Sequence, residues 1–559
     1  MDGLQKSINP LGYLDENNQV PISMFKENRE KITKRMVDII NANATVSSSQ
    51  VRKNLQFYPV DIYKNYAFMK SLLKYTTDLI KTQLLTKNYG IFLQGGKDLY
   101  RYDTDITYIF RQESFFAYLF GINEPDCYGF IDLTQSDKSD KSDKSDKSDK
   151  SDKSDKSDKL GESILFVPFV TNEMEVWQGS RNTLDFYKEK YGVDHVYYTK
   201  DIQKVLTERN ITDLFINKGV NWNSDRKTEP VIFDGIEKFN IIDDILYKEL
   251  CECRVIKTEK ELNLLRYVCK ISSEAHIEVM KSAKKCKNER ELESLFLYYI
   301  NKNYGCRHIS YTCVCCSGHN GAILHYGHAG APNDRKINDG EMLLLDMGAE
   351  YNNYASDITC SFPFNGKFTE QQKFIYNAVL DSQRTVEKHV KAGVTWRELQ
   401  IISQKVILKH LIKLGLVVEH GENLDDLVTK YNIGNLFMPH GFGHLMGLDV
   451  HDVNGHLEFP ENVVINEELK NLDKKSCKFS ILREGMVITV EPGIYFIETL
   501  LLPAFDHEEK GKFLNKEEIL KYMNFGGVRL EDDVVVLTNS CEVISSVPRE
   551  IEEIEKLMT

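Results

Sequence analysis

The 559-residue sequence lacks the features that would take it to or across a membrane. It contains no apolar run of about 18 residues, so no membrane-spanning helix is predicted. Its first residues, MDGLQKSINPLG, are polar and mixed, without the charged and then apolar pattern of a secretory leader. We therefore expect a cytoplasmic protein with no membrane partner.

The sequence is also short of positive charge and of paired cysteines. Its formal net charge of −13 and its pI near 5.7 argue against a nucleic-acid partner, which requires a basic surface. The 12 cysteines are scattered, with two close sets, Cys251/Cys253 and Cys313/Cys315/Cys316, and the sequence has no second C-x-x-C pair to complete a four-cysteine zinc site. We expect reduced, mostly buried thiols rather than disulfides or metal ligands.

One segment has no apolar residue at all. Residues 136–159 are eight copies of the triplet Ser-Asp-Lys, and such a segment is predicted to be disordered because it cannot bury a core. The apolar runs on either side, 128–133 and 164–168, are typical of strands. We expect an enlarged hairpin loop without a function of its own, since the entropy of loop closure changes slowly with length.

The length and the pattern predict two domains of mixed α/β (α+β) structure. We assign residues 1–250 to an N-terminal domain, in which residues 41–88 are a helical insert, and residues 251–559 to a C-terminal domain. Thr258 and Glu261 form a capping-box pattern, which indicates the start of a long helix. The predicted helices of the second domain are 258–283, 289–303, 370–391 and 396–414, and strands return after residue 485.

A pair of aspartates stands out in the sequence DMGAEYNNYASD, residues 346–357. The flanks of this stretch are typical of strands and its middle is typical of a turn. If the hairpin turns about the Tyr351–Asn352 bond, Asp346 lies opposite Asp357 with the Cβ atoms about 5 Å apart, and like charges there destabilise the pairing. Cations between the two carboxylates would remove this repulsion.

Further candidate ligands follow in the last quarter of the chain. The two glycines of His440-Gly-Phe-Gly-His444 predict a loop of close backbone approach rather than the helical H-E-x-x-H zinc motif. His451 follows shortly after this loop. Glu491 ends a predicted strand, and Glu531 is predicted to lie on another strand with Arg529 on the same face.

Two Asp, one His and two Glu give an oxygen-rich ligand set. Carboxylates suit hard divalent ions such as Mn²⁺, whereas structural zinc prefers Cys and His. Four carboxylates exceed the need of one ion, while two ions about 3.5–4 Å apart, bridged by carboxylates, would use them all. The sequence therefore indicates a dinuclear metal site.

In combination, several segments of the chain closely resemble prolidases, the Xaa-Pro dipeptidase family, in their eukaryotic cytosolic form. The resemblance is colinear over most of the chain, apart from residues 41–88 and 136–159. The segments that carry it are 110–116, 124–129, 323–334, 356–362, 440–452, 489–496 and 526–536.

The resemblance implies a creatinase-like N-terminal domain followed by a pita-bread metallopeptidase domain, usually in a homodimer. It also implies two Mn²⁺ per subunit, with other divalent metals possible. Asp357 and Glu531 would bridge the ions, Asp346 would complete the shell of one, and His444 and Glu491 would bind the other. The five implied ligands are Asp346, Asp357, His444, Glu491 and Glu531.

The activity that the resemblance implies is hydrolysis of Xaa-Pro dipeptides with release of the C-terminal proline, as in the turnover of collagen-derived and other proline dipeptides. Glu491 would act as general base and proton carrier, and His451 would stabilise the oxyanion. His325 and His451 match family residues that contact the dipeptide, and His440 matches a catalytic position in the same pocket.

One departure from the family concerns the arginine that receives the free carboxylate of the dipeptide. The nearest match here is Leu472-Asp473-Lys474-Lys475, and a lysine provides a point charge rather than the bidentate fork of an arginine. Two alternatives therefore stay open: an aminopeptidase P-like enzyme that removes Xaa from longer Xaa-Pro peptides, and a catalytically inactive pita-bread fold that serves as a binding module.

Overall fold

The computed structural model describes residues 13–15, 19–55, 88–134, 160–454 and 481–559. The Ser-Asp-Lys repeat, most of the predicted insert and the Leu472–Lys475 stretch lie outside these residues. The chain forms two compact units, Ile22–Cys253 and Met1–Pro21 with Arg254–Thr559. We call them the N-terminal unit and the C-terminal unit. Among the described residues, none of the helices is both long and apolar enough to span a bilayer.

The N-terminal unit is built on a six-stranded sheet with the order β4-β3-β2-β1-β5-β6. The strands β1–β2 and β2–β3 pair antiparallel, and the remaining neighbours pair parallel. The predicted hairpin around the repeat is confirmed, since Phe130 on β2 pairs with Ile164 on β3. The strands are β1 Tyr89–Gln94, β2 Tyr128–Asp132, β3 Ser163–Val167, β4 His195–Tyr198, β5 Asp213–Ile216 and β6 Asn240–Ile242.

Helices accompany this sheet, whose core includes the buried residues Phe92, Phe130 and Leu214. The second helix is entirely buried and ends at Gly121, whose φ of 63° suits glycine. The first helix covers the start of the predicted insert. The helices are α1 Ile22–Leu55, α2 Ser114–Phe120, α3 Asn172–Gln178, α4 Leu184–Tyr191, α5 Ile202–Glu208 and α6 Leu246–Val255, within which the boundary between the units falls.

The helices of the C-terminal unit include the four that the sequence predicts. The capping box at the start of α7 is confirmed: the Glu261 backbone N–H donates to Thr258 Oγ1 at 3.3 Å, and the Thr258 backbone N–H donates to Glu261 Oε2 at 2.9 Å. The helices are α7 Glu259–Ser282, α8 Glu289–Tyr304, α9 Glu370–His389, α10 Trp396–Lys413, α11 Leu424–Thr429, α12 Glu498–Phe505, α13 Lys516–Leu520 and α14 Ile551–Leu557.

The strands of the C-terminal unit form the sheets β11-β10-β7, β12-β9-β8, β13-β16-β17 and β14-β15. The Glu531 backbone N–H donates to the Thr359 carbonyl at 3.1 Å, so the chain between β15 and β16 lies beside β12. The strands are β7 His308–Ile309, β8 Val314–Ser317, β9 Met342–Asp346, β10 Ala349–Tyr351, β11 Tyr354–Ala355, β12 Thr359–Pro363, β13 Val487–Val490, β14 Gly493–Tyr495, β15 Gly527–Arg529, β16 Asp532–Val536 and β17 Cys541–Val543.

Two expectations about the strands are wrong. The aspartate hairpin turns at Asn352 and Asn353, whose φ angles are 47° and 67°, a conformation that asparagine tolerates in tight hairpin turns. Asp346 therefore pairs with Thr359 and lies diagonal to Asp357 rather than opposite it. Glu531 does not lie on a strand, because it occupies the short gap between β15 and β16.

Candidate metal centre and active site

Four separate segments of the C-terminal unit bring predicted ligands together. Ligand atoms of Asp357, His444 and Glu531 all lie within 4.8 Å of one another. His444 Nε2 is 3.2 Å from Asp357 Oδ2 and 3.6 Å from Glu491 Oε1. Each of these residues stands at a strand end or in a loop, and the neighbouring strands hold them at one place.

The carboxylates of this cluster repel one another. Burial, followed by the charges of Asp346, Asp533 and Glu491, raises the pKa of Asp357 well above its usual range. Burial also raises the pKa of Glu531, followed by the charges of Asp357, Glu491 and Asp346. Asp346 therefore belongs to the same cluster even though Asp357 is not its direct partner in the hairpin.

The same cluster contains buried carboxylate oxygen atoms without hydrogen-bond partners among the described residues. Asp346 Oδ1 and Asp357 Oδ1 are buried, and neither accepts a hydrogen bond of good geometry from a described residue. Burial, followed by the charges of both carboxylates, raises the pKa of Tyr311. Its buried hydroxyl has no hydrogen-bond partner of good geometry among the described residues. Buried polar atoms normally have partners, and hard divalent cations bind such carboxylate oxygens. The donor set therefore fits divalent metal ions.

Two threonines fix the carboxylates and the histidine. Thr359 Oγ1 donates to Glu531 Oε2 at 2.7 Å. Thr489 Oγ1 lies 3.4 Å from Glu491 Oε1 and accepts the backbone N–H of His444 at 3.0 Å. Through these contacts the two threonines orient the candidate ligands.

The loop that carries His440 and His444 depends on glycine. A Cβ atom at Gly443 would lie 2.0 Å from the backbone oxygen of Thr489. This close approach lets the Thr489 N–H donate to the His444 carbonyl at 2.9 Å and the Glu491 N–H donate to the Phe442 carbonyl at 2.7 Å. The prediction of a loop rather than a zinc-binding helix is confirmed.

Arg529 connects several groups of the site. Its Nη2 donates to Asp346 Oδ2 at 2.5 Å, its Nε to Thr359 Oγ1 at 3.1 Å and its Nη1 to the Tyr495 hydroxyl at 3.0 Å. The same hydroxyl is 2.9 Å from His440 Nε2. Sequence reasoning noted Arg529 but missed Tyr495, since neither charge nor spacing marks an uncharged tyrosine as part of a site.

The remaining predicted histidines lie near the same cluster. The ring centres of His444 and His451 are 4.2 Å apart. Partial burial and then the neighbouring His444 and His325 lower the pKa of His451, so its ring is neutral at pH 7. His325 also contributes to a lowered pKa of His440, after burial and other groups. The structure thus brings together every predicted site residue that it describes.

Asp533 is another buried carboxylate that sequence reasoning did not single out. Its Oδ2 accepts the backbone N–H of Asp357 at 3.0 Å and the thiol of Cys269 at 2.9 Å. Burial raises the pKa of Asp533 to about 7. Its position in the acidic run Glu531–Asp533 is a signal that could have found it.

Comparison with known proteins identifies the family to which the chain belongs. Residues 263–538, which include all five candidate metal ligands, match the model of metallopeptidase family M24, and residues 77–212 match the N-terminal domain of aminopeptidase P. The Xaa-Pro dipeptidase of Mus musculus is 47% identical over 84% of this chain and 88% of its own length. The chain belongs to metallopeptidase family M24.

Other relatives of this M24 peptidase are named as aminopeptidases rather than dipeptidases. A probable Xaa-Pro aminopeptidase of Verticillium alfalfae is 32% identical over 88% of this chain and 96% of its own length. The solved structure of Pseudomonas aeruginosa aminopeptidase PepP aligns with a TM-score of 0.64 at 28% identity, and covers 84% of this chain and 94% of that one. The predicted fold class is confirmed: an aminopeptidase P-type N-terminal domain precedes an M24 metallopeptidase domain.

Proposed function

We infer that this M24 peptidase hydrolyses Xaa-Pro dipeptides and releases their C-terminal proline. The observation that carries the inference is the cluster of buried carboxylates and one imidazole within an M24 domain. Its dipeptidase relatives are similar over most of the chain, at 45–47% identity. A role in the turnover of proline dipeptides, including those from collagen, follows from this substrate.

We propose that the site holds two Mn²⁺ ions through the five residues of the predicted ligand set. The support is the excess of hard oxygen donors over imidazole and the mutual repulsion of the carboxylates, which cations would relieve. Asp357 and Glu531 would be the ligands that the two ions share, since both are buried and the charge of Asp357 raises the pKa of Glu531. When bound, such ions supply Lewis acidity to the substrate carbonyl and to the attacking water.

The proposed general base is Glu491. Its Oε1 lies 3.6 Å from His444 Nε2 and its Oε2 lies 3.9 Å from His440 Nδ1, so its carboxylate stands between two imidazoles at the site. It takes a proton from the attacking water and delivers it to the imide nitrogen of proline, which has no hydrogen and must be protonated to leave. The Thr489 hydroxyl beside Oε1 holds the carboxylate in place for both transfers.

The proposed substrate contacts come from the neutral histidines. A neutral His451 ring has an N–H that donates to the carbonyl oxygen as negative charge develops there. His325 binds the dipeptide from the adjacent loop, and His440, held by Tyr495, completes this side of the pocket as a catalytic residue. None of these histidines is proposed to bind the free carboxylate of proline. Lys474 and Lys475 are the candidates for that contact.

We further propose a homodimer in the cytoplasm, with a domain division at residues 250 and 251. The resemblance to cytosolic prolidases supports the first two statements. The two compact units divide close to the third, between Cys253 and Arg254, but they group Met1–Pro21 with the C-terminal unit rather than with the residues that follow it. The 11 described cysteines are free thiols. Size-exclusion chromatography with light scattering measures the assembly.

A second candidate function is removal of the N-terminal residue from longer Xaa-Pro peptides. The observation that favours it is the similarity to proteins named as Xaa-Pro aminopeptidases and to solved aminopeptidase P structures. A binding module without catalysis is disfavoured, because all five candidate ligands are present.

A length series separates the two peptidase functions. Gly-Pro, Gly-Pro-Ala and Gly-Pro-Ala-Ala are supplied to the same preparation with and without added Mn²⁺. Hydrolysis of Gly-Pro alone, increased by Mn²⁺, supports the dipeptidase. Equal or faster cleavage of the longer peptides would assign the chain to the aminopeptidases.

A further inference from the structure

The carboxylate of Glu289 is fully buried and accepts an unusual number of hydrogen bonds. It is the first residue of α8 and has 0% exposure. Glu289 Oε1 accepts from the Ser317 backbone N–H and hydroxyl, both at 2.7 Å, and from Asn320 Nδ2 at 3.0 Å. Glu289 Oε2 accepts from the Tyr326 hydroxyl at 2.8 Å and the Arg335 backbone N–H at 3.2 Å. Five donors thus converge on one side chain.

All five donors belong to the segment 317–335, which we call the His325 loop. It begins at Ser317, the last residue of β8, and contains His325 directly before the buried Tyr326. His325 itself is exposed, and its neighbours Leu324 and Tyr326 pack in one apolar cluster with Tyr495, whose hydroxyl is 2.9 Å from His440 Nε2. Glu289 therefore binds the start, the middle and the end of the loop that presents this histidine.

A second contact one helical turn along α8 supports this arrangement. Asn333 Nδ2 donates to Glu293 Oε2 at 3.0 Å and to the Cys313 carbonyl at 2.9 Å, while Asn333 Oδ1 accepts the Cys315 N–H at 3.1 Å. Residues four apart share a face of a helix. One face of α8 thus anchors the loop.

The carboxylate of Glu289 is held by hydrogen bonds rather than by an ion pair. Among the described residues, no lysine or arginine side chain forms an ion pair with Glu289, and the Arg335 guanidinium pairs with Glu341 instead, at 2.6 Å. A buried anion is costly to desolvate, and the N-terminus of α8 and the five donors offset that cost. The carboxylate fixes the positions of four loop residues relative to one another, because its hydrogen bonds to them are directional.

We propose that Glu289 is a positioning residue for substrate binding, which holds the His325 loop so that His325 faces the dipeptide. The inference rests on the proposed function, in which His325 contacts the substrate. Glu289 itself touches neither substrate nor metal ligand, so its effect should reach the reaction only through His325.

The test is a double-mutant cycle between Glu289→Gln and His325→Ala in the full chain with Mn²⁺ bound. The first substitution keeps the size of the side chain and removes its charge. We expect it to raise KM for Gly-Pro about tenfold, with kcat changed less than about twofold and bound metal unchanged. In the His325→Ala background the same substitution should change KM by less than about twofold, because the residue through which it acts is absent.

A matched control distinguishes positioning from general destabilisation. Asp132 is a buried carboxylate of the N-terminal unit that accepts from Arg209 Nη1 at 3.1 Å. Asp132→Asn should lower the thermal midpoint and leave KM unchanged. If Glu289→Gln does not fold, Tyr326→Phe takes its place in the cycle, since it removes a single donor and should raise KM about threefold.

Additive effects of Glu289→Gln and His325→Ala on KM would overturn the proposal, as would an equal rise in KM for Asp132→Asn. If His325→Ala alone leaves KM unchanged, both the substrate contact of His325 and the role of Glu289 are wrong, while metal-dependent hydrolysis stands. Loss of hydrolysis by the unmodified chain would instead contradict the proposed function.

Discussion

The two units of the chain bury carboxylates in opposite ways. In the N-terminal unit, Asp132 has 0% exposure, with one oxygen bound by Arg209 Nη1 at 3.1 Å and the other by the Thr134 N–H at 2.9 Å. In the C-terminal unit, Asp346, Asp357 and Glu531 crowd together, and two of their buried oxygens have no hydrogen-bond partner among the residues that the structure describes. The first arrangement is complete within the protein. The second is the arrangement in which we propose that cations bind.

The difference separates a structural use of buried charge from a chemical one. A buried carboxylate with its own cation and N–H donors contributes to the specificity of the fold, and little remains for another ligand. Carboxylates that lie close together repel one another, and a divalent cation that binds between them removes this repulsion. We therefore expect substitutions in the two units to separate catalysis from stability.

The largest effect is expected for Asp357→Asn. The substitution removes a proposed bridging charge and should lower hydrolysis of Gly-Pro by at least about a thousandfold, together with bound metal. Far-ultraviolet circular dichroism should stay unchanged, because the shape of the side chain is kept. Activity and metal content at the level of the unmodified protein would show that the cluster in the C-terminal unit is no different from Asp132.

Removal of metal should destabilise the protein by an amount set by the affinity of the site. At a free Mn²⁺ concentration one hundred times the dissociation constant, binding to the folded state contributes about 2.7 kcal/mol. Calorimetry with and without a chelator should show this loss for the unmodified chain and a much smaller one for Asp357→Asn. An equal response of both proteins would locate the metal elsewhere.

Asp132→Asn is expected to have the converse effect. Removing the charge of Asp132 should lower the free energy of unfolding by about 1.5–3 kcal/mol, because a buried charge-assisted hydrogen bond is lost while Arg209 keeps its second partner, Glu162, at 2.8 Å. Urea denaturation measures the change. The kcat of the folded, metal-loaded enzyme should equal that of the unmodified protein, and a large fall in kcat would remove the distinction between the units.

The smallest effect is expected for deletion of residues 136–159, which lie outside the described residues. The Ser-Asp-Lys triplet has no apolar side chain to pack, and shortening a loop changes closure entropy little. Activity should be unchanged and the thermal midpoint should shift by no more than about 1–2 °C. A loss of several degrees would mean that the repeat supports the N-terminal unit.

The sequence was sufficient to predict the strands that precede Asp346 and Glu491, because both strands have clear apolar patterns. The hairpin register was not predictable, since it depends on two consecutive asparagines with positive φ rather than on charge. Contacts between distant segments were also beyond reach. The Arg529–Asp346 bond joins residues 183 positions apart, and the donors to Glu289 come from residues 28 to 46 positions away.

The most direct test of the account is a titration of metal-stripped protein with Mn²⁺. Bound metal per chain and the rate of Gly-Pro hydrolysis are measured on the same samples. We predict no hydrolysis without metal and a rate that reaches its maximum when two ions are bound per chain. Hydrolysis by protein without bound divalent metal, or full activity of Asp357→Asn at the same metal content, would contradict the account.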